Sequence, residues 1–269
     1  MNILIACARN IARNEIYALV KALQKKHRIT ISSMSKDSPL RGLAFSFSMS
    51  PTRVNKMLYK RASGEPIQAY EFYSTPADSI SIMLGEIMKH QKPDLVICGI
   101  SNGTNMGPDT YSSSVIGMAM EATFFGVPAI ALATTYKEGG HSAEELAPLA
   151  TFIENNIEKF AALKLPPQTF LSVNVPMVEK HSDFKGVHFT RMGRKNMRLE
   201  YAGGVDPLGR DYYWSKIARR EHENDGEQDD GVWYKRGFIS IAPLCYDATC
   251  HESIEDFTEI AERLKGGKK

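Results

Sequence analysis

Three stretches of this 269-residue sequence bring together side chains able to do chemistry. Cys7-Ala8-Arg9-Asn10-Ile11-Ala12-Arg13 holds a thiol and two guanidinium groups close together. Residues 34–43 form a second polar loop, with two serines, an aspartate and a glycine. The third is Ile100-Ser101-Asn102-Gly103-Thr104-Asn105-Met106-Gly107, followed by Ser112-Ser113-Ser114. Its first part supplies flexible backbone and amide side chains. The serines place N–H groups and hydroxyls at a helix start, which attracts anions such as phosphate. Ordinary turns and helix caps use the same residue types. What decides between the two is whether the fold brings these loops together.

The positioning elements are legible from apolar periodicity. Residues 3–8 are continuously apolar, which suits a strand of a parallel sheet buried on both faces. Ile16, Leu19, Val20 and Leu23 then follow at i, i+3, i+4 and i+7, one stripe of an amphipathic helix. Residues 29–33, 95–100, 128–133 and 171–175 read as further strands, and residues 143–160 as a helix. Thr75-Pro76 reads as an N-cap and first helical position, ahead of a stripe of Ile80, Met83, Leu84 and Ile87. Residues 112–114 are placed to cap a helix running to about Phe125. Strands alternating with helices imply an α/β fold, a doubly wound and mostly parallel sheet with helices on both faces. Residues 187–244 show short alternating stretches broken by glycines, read as hairpins, and residues 252–264 read as a last helix. The expected organisation is an α/β core over residues 1–180, then a β-hairpin excursion and C-terminal helix over residues 181–269 that serves as an oligomer contact. In an open parallel sheet, ligands bind outside the carboxyl ends of the strands, which is where the three loops fall.

Composition narrows the function classes. With 33 Lys+Arg against 31 Asp+Glu the net charge is +2, so no overall field favours a nucleic-acid polymer. Hydrophobic residues make up 43% and charged residues 24%, which excludes a disordered or fibrous chain. No apolar run approaches the roughly 18 residues of a membrane span, and residues 1–8 lack the layout of a signal peptide. The cysteines at 7, 98, 245 and 250 have neither metal-knuckle nor disulfide-scaffold spacing. A soluble protein of the cytoplasm is expected.

The sequence resembles the survival protein E (SurE) family of metal-dependent 5′/3′-nucleotidases and phosphomonoesterases. The resemblance runs from end to end through seven motifs in the family's order. They are Met1-Asn-Ile-Leu-Ile, Ser74-Thr-Pro-Ala-Asp-Ser, Pro93-Asp-Leu-Val-Ile-Cys-Gly-Ile-Ser-Asn-Gly-Thr-Asn-Met-Gly-Pro-Asp, Ser172-Val-Asn-Val-Pro, Phe189-Thr-Arg-Met-Gly-Arg, Asp206-Pro-Leu-Gly-Arg-Asp-Tyr-Tyr-Trp and Gly237-Phe-Ile-Ser-Ile-Ala-Pro-Leu. The resemblance implies a SurE-like fold, a phosphorylated small molecule or nucleotide as ligand, a Mg²⁺ or Mn²⁺ cofactor, and a homodimer or homotetramer. Arg9, Asn10, Ser101, Asn102, Gly103, Asn105, Ser113 and Ser114 are the candidate phosphate- or ligand-binding residues.

The resemblance breaks at the metal site. The family's first strand ends in Asn-Asp-Asp-Gly, where two carboxylates hold the cation; the same positions here are Cys7, Ala8, Arg9 and Asn10. The family's serine ligand falls at about Pro39, next to Ser38, and its asparagine ligand is Ser101. The Ser-Gly-Thr of its helix start is matched by Ser113, Ser114 and Val115, which loses one hydroxyl. Hard divalent cations need oxygen ligands. Ala8 offers none, and Arg9 carries a permanent positive charge. No cofactor is therefore expected at the family site. A guanidinium can fork onto phosphate oxygens without an ion, but it cannot activate a water.

Four readings stand side by side at this point. The leading one is a metal-free phosphate or nucleotide binder with weak or no hydrolysis. The second is an active phosphomonoesterase with an altered metal site. In the third, Arg9 merely pairs with an acid such as Asp109. The fourth takes Cys7, five residues and Arg13 as resembling the phosphate loop of low-molecular-weight tyrosine phosphatases, where a thiolate attacks phosphorus and the Arg holds its oxygens. That loop ends in Ser or Thr where this chain has Asn14, and it has a glycine where this chain has Arg9. His141 and His251 are isolated in the sequence, residues 221–230 read as a solvated acidic connection, and Met106, Met118 and Met120 read as core.

Overall fold

The computed structural model describes the chain except residues 39–41, 47–49, 63, 195–196, 220–225, 252, 255–259 and 261–269, and the side chains of residues 197–199 and 217–219. Pro39, most of the segment read as a final helix and part of the acidic stretch lie outside the described residues.

Strands β1 (Asn2–Ala6), β2 (Arg28–Met34), β3 (Val54–Tyr59), β4 (Ile67–Phe72), β5 (Leu95–Asn102), β6 (Ala129–Thr134), β7 (Thr169–Val175), β8 (Val187–Phe189) and β11 (Ile239–Cys245) form one nine-stranded sheet. Their order is β3-β4-β2-β1-β5-β6-β7-β11-β8. The six central strands, β4 to β7 in that order, run parallel; β3 and β11 pair antiparallel with β4 and β7. Ile3 and Ile5 of β1 enter one apolar cluster with helices α1 (Asn14–Leu23) and α4 (Ala147–Ala162). Leu4 and Ala6 enter a second with α2 (Pro76–Ile82) and α3 (Ser114–Phe124). Both faces of β1 are therefore dry, which is why its sequence shows no polar alternation. The predicted stripe Ile16, Leu19, Val20 and Leu23 is fully buried on α1. Thr75 caps α2 as expected: its side chain accepts from the Asp78 amide, and the Asp78 carboxylate accepts from the Thr75 amide.

Strands β3 and β4 and the short helix α5 (Asp230–Lys235) were not foreseen from the sequence. Strands β8 and β11 bring segments beyond residue 180 into the central sheet, so the core is not confined to residues 1–180. Strands β9 (Met197–Val205) and β10 (Asp211–Arg219) form a separate two-stranded hairpin. On it, the rings of Tyr213 and Tyr212 lie over Gly203 and Gly204.

The chain builds β2 and β4 to one side of β1, then crosses back to build β5, β6 and β7 on the other. The carboxyl ends of β1 and β5 thus flank the topological switch point, where open α/β sheets leave a crevice. A β-bulge between Gly99 and Ser101 shifts the register of β5 against β6 and re-aims the residues that follow. Gly99 has φ +134°, and a Cβ there would lie 2.3 Å from the Leu132 carbonyl oxygen, so only glycine fits.

The loop after β2 is seated on the first turns of α3 through two glycines. A Cβ on Gly117 would lie 2.9 Å from the Gly42 carbonyl oxygen. Helix propensity favours Gly117→Ala by about 1 kcal/mol, whereas backbone crowding opposes it by about 1–3 kcal/mol. Packing decides the sign. Denaturant unfolding of Gly117→Ala is expected to show a less stable protein; a more stable one would mean that the loop does not rest on α3.

Candidate functional site

A cleft of about 1020 Å³ opens at the switch point, and it gathers the first and third chemical loops. Arg9, Ser101, Asn102, Gly103, Asn105, Ser113 and Ser114 all line it, as do Cys7, Ala8 and Arg13. Of the candidate binding residues, Asn10 alone does not. Its Oδ1 accepts from the Ala12 amide at 3.0 Å and its Nδ2 donates to Glu71 at 3.4 Å, so the amide braces the turn from outside.

Arg9 follows the end of β1 with an exposed side chain, while its carbonyl accepts from the Met34 amide at 3.1 Å. No ion pair joins it to Asp109 or to any other described residue. The reading in which Arg9 merely pairs with Asp109 is thereby corrected. Arg13 differs. Its Nη2 and Nε donate to the buried carboxylate of Glu15 at 3.0 and 3.3 Å, which balances its charge.

Helix α3 opens on the same cleft as Arg9. Ser113 occupies its N-cap position, as the serine run suggested, but its side chain accepts no capping hydrogen bond. Asn105 is fixed through its main chain: its amide donates to Asn174 Oδ1 at 2.8 Å, and its carbonyl accepts from Asn174 Nδ2 at 3.1 Å. Its own Nδ2 is buried without a partner among the described residues, and an unpaired buried donor is costly unless something arrives to accept from it. Asn102 is not available in this way. Its Nδ2 and Oδ1 bind the carbonyl and amide of Lys137 at 2.8 and 2.9 Å, so it pins the loop after β6 instead of facing a ligand.

The surroundings of Cys7 oppose the cysteine reading. Cys7 belongs to the apolar cluster beneath α1 and α4, and burial pushes its thiol up to about 12. A nucleophilic cysteine needs the opposite shift, and its partner Arg13 is already held by Glu15.

Two residues that hold the site escaped the sequence reading. Asn174 lies in the quoted Ser172-Val-Asn-Val-Pro motif, but nothing in the motif shows that it grips a residue 69 positions away. Asp230 was read as part of a solvated acidic stretch. Instead it is buried, and its carboxylate accepts from the amides of Gly107, Gly193 and Gly231 at 3.0, 3.2 and 2.7 Å. Burial raises its pKa against the lowering effect of these amides. Asp229 is buried too, and pairs with Arg191 at 2.7 Å. The two aspartates seat α5, which contributes Tyr234 and Lys235 to the cleft wall. His141 is buried with Nε2 at 2.7 Å from the Thr135 carbonyl oxygen, and His251 pairs with Asp247 at 2.7 Å; neither lines the cleft. Met106 and Met118 are buried, and Met120 packs against the core, as expected.

The family model for Survival protein SurE matches residues 3–199. The chain belongs to the SurE family. Among its relatives, a 5′-nucleotidase SurE of Thermoanaerobacter sp. (strain X514) is 32% identical over 237 residues, 88% of either chain. A 5′-nucleotidase SurE of Caldanaerobacter subterraneus subsp. tengcongensis is 34% identical over 191 residues, 71% of this chain and 72% of its own. The crystal structure of the SurE protein from Aquifex aeolicus superimposes with a TM-score of 0.74 at 25% identity, over 97% of this chain and 100% of that one.

Against the SurE resemblance, the donor set can be tested for a divalent cation. Ala8 has no donor atom, and Arg9 is a cation where the resemblance places a carboxylate. Two carboxylates among the described residues line the cleft, Glu15 and Asp109, and Glu15 is occupied by Arg13. Among the described residues, no three His, Cys, Asp or Glu side chains are grouped so as to hold a metal ion. These residues do not fit the family's ion. No helix of the described residues is long and apolar enough to cross a membrane.

Proposed function

We propose that this SurE-family protein binds a nucleotide or another phosphorylated small molecule in the switch-point cleft, with Arg9 in place of the metal, and that metal-dependent hydrolysis is lost or much reduced. The relatives named as 5′-nucleotidases support the ligand class. The observation that carries the reading is the joint placement of an ion-pair-free Arg9, the N-terminus of α3 and the orphan Nδ2 of Asn105 around one cleft. All three present N–H donors to one cleft, the complement of a phosphate group. The volume is at the upper end of small-ligand sites, so a body larger than phosphate fits beside it.

In this reading Arg9 forks onto non-bridging phosphate oxygens, the α3 amides bind another, and Asn105 Nδ2 donates a hydrogen bond. A divalent ion would also lower the pKa of an attacking water. Arg9 cannot, because a guanidinium only donates hydrogen bonds and does not coordinate a water oxygen. Binding without turnover follows.

The exposed hairpin β9–β10 is proposed as the contact with a second copy of the chain. A lone two-stranded hairpin is marginal in water, and this one exposes Tyr201, Tyr213 and Trp214 by 64%, 69% and 72%.

Two measurements test these statements. Calorimetric titration with AMP is expected to show saturable binding that survives a chelator, weakens roughly tenfold or more in Arg9→Ala, and persists in Cys7→Ser. Hydrolysis of AMP or a generic phosphomonoester stimulated by Mn²⁺ would contradict the loss of metal-dependent turnover. Sedimentation is expected to show a dimer or tetramer that dissociates in Tyr213→Ser/Trp214→Ser; a monomeric unmodified protein would refute the hairpin contact.

A further inference from the structure

The turn that presents Arg9 is gripped from outside the cleft by the edge of the sheet. Arg61 lies in the connection between β3 and β4, beyond the chemical loops noted in the sequence. Its Nη1 donates to the Ala12 carbonyl oxygen at 2.6 Å, and its Nη2 donates to Asn14 Oδ1 at 2.5 Å. The guanidinium carbon also stands 4.9 Å from the centroid of the Tyr17 ring. One planar group therefore joins positions 12, 14 and 17, spanning the exit of the turn and the opening of α1.

The other supports of this turn come from β4, the end of β2 and the loop after β6. Glu71 of β4 accepts from Asn10 Nδ2 at 3.4 Å, a long contact. The Met34 amide holds the Arg9 carbonyl, and Asn14 Nδ2 donates to the His141 carbonyl oxygen at 2.8 Å. Arg61 completes this ring of supports on the side facing the sheet edge.

Its choice of partners is also telling. Arg13 spends its charge on a buried carboxylate, but the contacts of Arg61 are a carbonyl, an amide oxygen and a ring face. No carboxylate pairs with Arg61 among the described residues. A rigid fork satisfies two fixed acceptors and a stack at once; an ammonium offers one point of contact and no planar face.

We infer that Arg61 is a positioning residue of the anion site: it fixes the turn of residues 10–14 and thereby the direction from which Arg9 meets a phosphate. The inference rests on the phosphate reading above. It also gives the β3–β4 edge a function, since the antiparallel pair delivers Arg61 and Glu71 to one side of the same turn.

The test uses the full-length protein with Arg61→Ala and Arg61→Lys, titrated with AMP and with inorganic phosphate, and followed by hydrogen–deuterium exchange of peptides covering residues 9–17. Arg61→Ala is expected to raise the Kd for both probes about tenfold, the scale of losing alignment at a charged hydrogen-bonded site. Exchange should quicken within residues 9–17 while the melting temperature stays near that of the unmodified protein. Arg61→Lys should fall between the two in affinity. A purely structural role would lower the melting temperature and leave the Kd alone. An unchanged Kd in Arg61→Ala, or unchanged exchange in residues 9–17, overturns the inference while the phosphate reading stands. Binding of neither probe by the unmodified protein overturns the phosphate reading and this inference with it.

Discussion

The cleft is organised around one electrostatic fact: a guanidinium follows the end of the central strand, where the SurE resemblance places two carboxylates. Exchanging two carboxylates for Ala8 and Arg9 moves the local charge by about three units at neutral pH. The consequence reaches every other group in the cleft. An anionic floor recruits a cation, and the cation recruits phosphate. In the proposed reading a cationic floor recruits phosphate directly, and the donors of α3 and Asn105 act on the same ligand without an ion between them. The scaffold need not change for this, because β1 and β5 still part at the switch point.

What holds the donors in place is a set of polar clamps, those of Asn174 and Asp230 buried, each joining segments far apart in the chain. Asn174 grips the main chain of Asn105, and Asp230 gathers the amides of three glycines. Asn102 locks the loop after β6 through Lys137. Each clamp is satisfied, as buried polar groups generally are. Asn105 Nδ2 is one of six buried side-chain atoms left without a partner among the described residues, and of these six residues Asn105 is the one that lines the cleft.

Much of the fold was legible in the sequence because the parallel strands are dry on both faces and read as continuous apolar runs. Strands β3 and β4 were not, since an edge strand such as Val-Asn-Lys-Met-Leu-Tyr interleaves polar residues and carries no such run. The six residues of α5 were hidden behind an acidic stretch whose last two members turn inward. At the site, loop positions could be read from where the strands end, but the direction of side chains could not. Cys7 and Arg9 are two residues apart and both line the cleft, yet one is buried against the core and the other is exposed. Asn102 and Asn105 are three apart, yet the side chain of one is consumed by the Lys137 backbone while the other keeps an Nδ2 with no partner among the described residues. These outcomes depend on residues 35 and 69 positions away, which no local pattern encodes.

The central claim is that Arg9 does the charge-neutralising work of an ion that the cleft can no longer hold. Electron paramagnetic resonance of Mn²⁺ titrated into the full-length protein reads this directly, alongside the double variant Ala8→Asp/Arg9→Asp. The account predicts no bound Mn²⁺ in the cleft of the unmodified protein, and one site gained in the double variant. Stoichiometric Mn²⁺ binding by the unmodified protein that Ser101→Ala abolishes would contradict it.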